Sequence, residues 1–392
     1  MAGACGPVAF AAVLVVVSTH TAMNLGGPPA AAWYAVAAGV VALLLPAATE
    51  LLARAPWWVL PVLVVACLGT LTTVFVVGVP PADDLVLGVG SDRANALDVA
   101  LGELAAGRYP YAATTYLGNP ITPLPGALVL AAPFRFLLGS AAWQNVAWTA
   151  LLLPLLHGGW RLRPGPTLVW LLTVAGGLEV WREFLIGDDL VAGTVPALAA
   201  AVWTLRTARP DGGSVRLLTA AAVALGVATC TRPHLALVVA IVAVAVGLRA
   251  GRRRGLLVGG VAGLVWLVLI VPFLLGGLAR FSPLHVAAKV TDERGLSVGI
   301  VVIGLAAALL LAAALWWLRP ASEVAVAWCA AAVLVAPSLL SLARALVETG
   351  AVWSADLTLG AVAVPIAAWA VVAGAEVGAD AASGEDPVAL AA

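Results

Sequence analysis

Charge is what this chain has least of. Asp, Glu, Lys and Arg make up 10% of its 392 residues, against about 25% in soluble globular domains. With 63% hydrophobic residues, too little polar surface is left to coat a water-soluble body. The 20 basic and 20 acidic residues cancel, which removes the electrostatic case for nucleic acid as a partner. Cysteine is scarce: Cys5, Cys67, Cys230 and Cys329 have no paired spacing, so neither a disulfide framework nor a thiolate metal site is indicated. The N-terminus lacks a basic n-region and a small-residue cleavage site. Its apolar run is therefore read as a first span rather than a removed signal. No internal repeat period is found, and no Gly-x-x-x-x-Gly-Lys phosphate loop occurs.

What the chain has in excess is long apolar runs, with a mean hydropathy of +1.07. A helix needs about 20 apolar residues to cross the hydrocarbon layer. Runs of that kind fall near 7–25, 31–53, 57–79, 141–159, 166–185, 188–206, 215–231, 234–249, 255–278, 297–317, 321–343 and 355–375. No strand-like alternation appears, and unpaired backbone cannot face lipid. The expected fold class is an all-α polytopic transmembrane helical bundle of about 12 spans. Thr122–Gly139 is apolar but short and opens on Pro123 and Pro125. It is read as a half-inserted, re-entrant helix shielded by its neighbours.

Arg206, Arg209 and Arg216 cluster in one short loop, and Arg249, Arg252, Arg253 and Arg254 in another. The positive-inside rule places both in the cytoplasm. Arg54, Arg161, Arg163 and Arg319 fit the same side. Counting back puts the N-terminus inside and the loop 80–121 outside. Outside too fall the turn from Arg182 to Asp189, the Thr231–His234 junction, and the loops 279–296 and 344–354. Residues 376–392, carrying Glu376, Asp380, Glu385 and Asp386, read as a disordered cytoplasmic tail. Trp57-Trp58 and Trp316-Trp317 read as interfacial anchors. His20 and His157 read as interfacial or packed side chains.

The outer loop 80–121 is the long polar interruption. Within Ser91–Ala106, Leu97, Leu101 and Leu104 share one helical face, extended by Ala94 and Ala100. This predicts a short amphipathic helix lying in the membrane interface, with Ser91 as N-cap and Asp92 in the first turn. Asp92 has two readings: a helix-start acid that satisfies the dipole, or a carboxylate held as a general base for an attacking hydroxyl. Asp83, Asp84 and Asp98 compete for the second role, and each has loop solvation as its simpler reading.

Asp92-Arg93, Leu101, Gly107-Arg108-Tyr109-Pro110-Tyr111 and the run Pro120–Gly126 follow one another in that order. The order resembles the first outer loop of GT-C glycosyltransferases, closest to the polyprenol-phosphate-dependent branch that includes mannosyltransferases of phosphatidylinositol mannoside synthesis. Thr231-Arg232-Pro233-His234 is similar to the family's basic-Pro signature. The likeness covers roughly residues 57–250 and rests on order more than on any one motif. It implies a GT-C-like membrane domain over 1–375, in the plasma membrane. The enzyme would move a sugar, mannose or arabinofuranose, from a polyprenyl-phosphate donor to a glycolipid or glycan acceptor on the outer face. Asp92 matches the family's catalytic acid position. Arg93 departs from the acid-then-apolar pattern and leaves its own role open.

Around it, Asp84, Arg93, Tyr109 and Tyr111 are candidate substrate-binding residues. Arg182 is a candidate phosphate ligand, and Glu183, Asp188 and Asp189 are candidate partners of sugar hydroxyls. The alternative for the last is a tight hairpin with Asp189 capping the next helix. Arg232 and His234 are candidates for the lipid phosphate, since guanidinium grips phosphate with two parallel hydrogen bonds. A snorkelling arginine among headgroups is the simpler reading. No cofactor or metal ligand set is expected, although a divalent cation on the donor phosphate is compatible. His285, Lys289, Asp292, Glu293 and Arg294 read as a solvated outer loop. The competing functions are a transporter or lipid flippase, and a non-catalytic membrane subunit. Membrane lipid is a partner in every case.

Overall fold

In a computed structural model of the chain, residues 2–83, 91–209, 213–277, 280–284, 322–350 and 357–383 are described. They form an all-α, membrane-embedded protein with no named strand among the described residues. The helices are α1 (Ala2–Ala53), α2 (Val59–Asp83), α3 (Arg93–Ala105), α4 (Pro125–Leu138), α5 (Gln144–His157), α6 (Pro164–Val174), α7 (Leu178–Ile186), α8 (Leu190–Thr207), α9 (Val215–Thr229), α10 (Ala236–Ala250), α11 (Arg252–Leu275), α12 (Glu323–Thr349) and α13 (Val364–Ser383). Among the described residues 7 are long and apolar enough to cross a membrane, or 8 with the bent α4–α5 pair. The expected span 297–317 lies outside the described residues.

The chain divides into two compact units. The first holds residues 1–72, 149–182 and 322–392. Its α1 has 52 residues, about 78 Å at 1.5 Å per residue, more than twice the hydrocarbon thickness. The helix is broken at Gly26 and Gly27, where Gly27 has φ 69°, a conformation that suits glycine. Pro28 and Pro29 open the second half. The expected spans 7–25 and 31–53 are these two halves. Phe10, Leu14 and Val17 are buried, while Trp33, Leu43 and Leu51 are exposed, as lipid-facing residues are.

The expected span 166–185 is not continuous. It breaks at Gly176–Gly177 into α6 and α7, of 11 and 9 residues. A Cβ at Gly176 would stand 2.7 Å from the Leu172 carbonyl, and one at Gly177 2.5 Å from that of Thr173, so only glycine fits this fold-back. Tyr34 caps the break by donating to the Gly176 carbonyl at 3.0 Å. Just beyond it, buried Glu179 accepts from the Thr21 hydroxyl at 2.6 Å and pairs with Arg182 at 2.5 Å. His157 is packed, with its ring nitrogens against the Leu153 carbonyl and the Thr167 hydroxyl. The C-terminal tail differs from expectation: α13 continues to Ser383, and Glu376 pairs with Arg163 at 2.6 Å. Residues 384–392 lie outside the described residues.

The second unit holds residues 73–148 and 183–321. Here α9 packs between α8 and α11, α11 also packs against α10, and α4 lies against α9. The proline-led segment makes this last contact through backbone. Leu124 N donates to the Thr231 carbonyl at 3.2 Å and Gly126 N to the Cys230 carbonyl at 2.9 Å. A Cβ on Gly126 would sit 2.3 Å from the Val227 carbonyl oxygen. α4 and the helical segment Ala141–His157 meet at 108°, and α4 alone has 14 residues, about 21 Å.

The amphipathic helix forms as the spacing predicts, but its surroundings differ. Its apolar face, with Ala96, Leu97, Ala100 and Leu101, is buried in a core with Ile121, Leu124, Leu128 and Phe281 rather than laid on lipid. Only Leu104, 38% exposed, leaves that face. The predicted cap also moves by one residue: Asp92, not Ser91, holds the N-cap position.

Candidate functional site

Asp92 sits at the N-terminus of α3, yet its carboxylate does not cap the helix. It turns to the loop 115–119 instead. Oδ2 accepts from the Thr115 hydroxyl at 2.6 Å and from the Asn119 amide at 2.8 Å. The loop is itself closed by Gly118 at φ 76° and by Thr115 N donating to the Asn119 carbonyl at 2.9 Å. Asn95 secures it from α3 by accepting from Tyr116 N at 3.0 Å. Asp92 is half-buried, one oxygen is held, and the other has no hydrogen-bond partner among the described residues.

The next residue opens a chain of buried charge. The Arg93 guanidinium reaches both carboxylate oxygens of Asp188 at 2.5 Å. Asp188 Oδ1 also accepts from Asp189 N at 2.9 Å. Asp189 in turn takes the Arg232 guanidinium at 2.6 Å on Oδ1 and the Gln144 amide at 3.2 Å on Oδ2. The side chains of Asp188 and Asp189 are 3% and 9% exposed, so both are removed from water and both carry a matched cation. Burial by itself would lower the Arg93 pKa. Asp188, with smaller contributions from Asp189 and Glu183, more than reverses this and holds it well above the usual arginine range. With its folded pKa raised, the Arg93 contribution is fully present below the unfolded arginine value, so Arg93 stays cationic at any accessible pH.

Backbone geometry puts the two aspartates there. α7 ends on Gly187 at φ 69°, a left-handed residue that closes the helix, and Asp188 N returns to the Glu183 carbonyl at 2.9 Å. Asp189 occupies the N-cap position of α8 without capping it. Glu183 does that work, accepting from Val191 N at 2.9 Å. This frees the Asp189 carboxylate for Arg232 and corrects the hairpin-cap reading. Asn145 holds the turn from α5 by donating to the Asp188 carbonyl.

His234 stands beside this chain, with Arg232 and Arg93 as its charged neighbours. Among the described residues its buried Nε2 has no hydrogen-bond partner, and neither does Asn145 Oδ1. Five of the expected binding residues thus come together with Asp92 in one unit: Arg93, Asp188, Asp189, Arg232 and His234. Glu183 lies beside them, engaged as the α8 cap, and the others do not join them. Tyr111 is 3% exposed and donates to the Pro123 carbonyl at 3.1 Å. Tyr109 donates to the Phe273 carbonyl at 2.8 Å. Burial raises the pKa of both phenols, and both serve the core under α3. Arg182 is bound to Glu179 in the first unit. Asp84 lies outside the described residues, as do His285, Lys289, Asp292, Glu293 and Arg294. Among the described residues no three of His, Cys, Asp or Glu converge as a metal site.

The sequence reading misses Thr115, Asn119, Gln144 and Asn145. A signal for the first pair is the turn composition of Thr115–Pro120, and for the second a polar Gln-Asn pair opening an apolar run. Asp98 also proves structural. It accepts from Ser140 Oγ at 2.8 Å and Ala141 N at 2.7 Å, pinning α3 to the α4–α5 corner, with Arg135 at 3.6 Å. Burial outweighs these partners and raises its pKa. A carboxyl with a raised folded pKa binds more protons when folded, so its contribution falls as pH rises from the unfolded to the folded value. Thermal stability of the wild type is expected to fall along that limb, and Asp98→Asn to flatten it. An unchanged slope in the variant would show that Asp98 is not its source. No protein-family model, curated protein or solved structure matches the chain.

Proposed function

We propose that this chain is an integral membrane glycosyltransferase of GT-C type. It passes a sugar from a polyprenyl-phosphate donor to a hydroxyl of a glycolipid or glycan acceptor at the outer membrane face. The observation that carries the reading is the seating of Asp92: one oxygen is fixed by Thr115 and Asn119, the other has no hydrogen-bond partner among the described residues, and the next residue, Arg93, enters the first of two linked arginine–aspartate bridges.

The chemistry is a single displacement. The acceptor oxygen forms a bond to the anomeric carbon as the bond from that carbon to the phosphate oxygen breaks. Asp92 takes the hydroxyl proton, and polyprenyl phosphate leaves with the electron pair. General-base help of this kind contributes about 10²–10⁴-fold. Arg232 and Arg93 supply cations for the phosphate, which competes with Asp189 and Asp188 for them.

Asp92→Asn is expected to lower transfer from a radiolabelled polyprenol-phosphate sugar by about 10²–10⁴-fold at an unchanged melting temperature, because the amide oxygen still accepts from Thr115. Wild-type turnover in that variant would remove Asp92 from the mechanism. A transporter reading draws on one observation, the buried Glu179–Arg182 pair at the α6–α7 break, since broken helices and buried charge line transport sites. Solute flux in reconstituted vesicles without sugar transfer would favour it.

A further inference from the structure

The first unit contains a cavity of about 850 Å³, inside the range of small-molecule pockets, that neither the sugar-transfer nor the transporter reading uses. It is built where several helix ends meet, namely the start and end of α1, the start of α6 and the start of α12, with the 370–376 stretch of α13 alongside. Glu50, Arg163 and Glu376 occupy the outermost positions of their segments in this wall. Leu45, Val169 and Ala370 lie five or six residues further in, about 8 Å deeper along the axis. Trp328 adds an aromatic face one turn inside α12. The cavity is thus ionic at its rim and apolar below, the profile of an amphiphile with a charged head.

The rim charges narrow the class. Arg163 is shared between Glu376 at 2.6 Å and the His157 carbonyl at 2.8 Å, while Glu50 has no partner among the described residues. One cation and two carboxylates disfavour a purely anionic head. They suit a head carrying both a phosphate, which Arg163 can take, and a primary ammonium, whose three donors can reach Glu50 and Glu376. A quaternary ammonium has no donor to offer them. The helices around the cavity include α1, α12 and α13, all long and apolar enough to cross the bilayer, so the ligand enters from lipid.

We infer that this groove is a binding site for a phosphatidylethanolamine-type phospholipid, its acyl region lying along Leu45, Val169 and Trp328 and its head bridging Arg163 with Glu50 and Glu376. The inference is independent of the sugar-transfer reading. The test is native mass spectrometry of the full chain in detergent, with phosphatidylethanolamine, phosphatidylcholine or phosphatidylglycerol added. Phosphatidylethanolamine should be retained about tenfold better than either other lipid, equivalent to ~1.4 kcal/mol. The Glu50→Gln/Glu376→Gln double variant should reduce it to the phosphatidylcholine level, and Ala9→Trp, which fills the groove, should abolish retention. Equal retention of phosphatidylcholine, preference for phosphatidylglycerol, or unaltered retention in Ala9→Trp would each overturn the proposal. Should Ala9→Trp fail to fold, the wild type supplies the second readout. Cys5 lines the groove and is exposed, so its maleimide labelling should slow with phosphatidylethanolamine and not with phosphatidylcholine. Equal slowing by both would overturn the head-group assignment.

Discussion

Asp188→Ala is expected to destabilise the protein by about 3–5 kcal/mol, the cost of leaving one member of a buried ion pair without its partner. The 3% exposure of the aspartate side chain sets the size of the effect. Two groups lose their acceptor at once, three hydrogen bonds in all: the Arg93 guanidinium on both oxygens, and the amide of Asp189. Arg93 cannot discharge, so its charge stays in place beside Arg232 and His234. The paired replacement Arg93→Met/Asp188→Leu should recover most of the loss, because a matched apolar pair has no desolvation cost to offset. Melting in detergent, read by size-exclusion chromatography, tests both arms. The paired variant also separates architecture from chemistry. If Arg93 serves the donor phosphate, the recovered fold will still transfer sugar poorly. A wild-type melting temperature for Asp188→Ala would mean that the bridge is not present.

Gly126→Ala should cost about 1–3 kcal/mol, and more where the backbone pairing opens as well. The added carbon would stand 2.3 Å from the Val227 oxygen and 2.5 Å from that of Cys230. Both obstacles are backbone, so no side-chain rotation relieves them. The α4 start must lift away and release the bonds from Leu124 to Thr231 and from Gly126 to Cys230, each worth about 0.5–1.5 kcal/mol. Gly102 is the control of opposite sign. It lies within α3, and a methyl added there would meet nothing within 4 Å, so alanine should stabilise by about 0.8–1 kcal/mol. Equal melting temperatures for the two alanine variants would refute the close approach of α4 to α9.

The sequence read most clearly where a single period decides the outcome. The runs of α8 and α11 need only length and apolarity, and the Leu97–Leu101 spacing gives α3, whereas the expected span 215–231 forms an α9 of only 15 residues. Reading failed where partners come from distant segments. Asp189 and Arg232 were each visible as charges near apolar runs, but their bond spans 43 positions, and no local pattern encodes it. Leu104 and Leu97 look alike in spacing, yet only one meets the 121–131 core, since burial depends on what lies opposite. Gly176-Gly177 reads as part of a span because glycine is common in membrane helices. The break is fixed by the carbonyls of Leu172 and Thr173 and by Tyr34, 142 positions away.

The sharp corner between α4 and Ala141–His157 bears on how the chain enters the bilayer during synthesis. The first arm is shorter than a membrane is thick, so a ribosome that has delivered only as far as Gly139 holds a helix with no station of its own. Whether the two arms together make one crossing or one re-entrant turn sets the parity of every span after His157, so the few residues around Ser140 weigh on the whole downstream count.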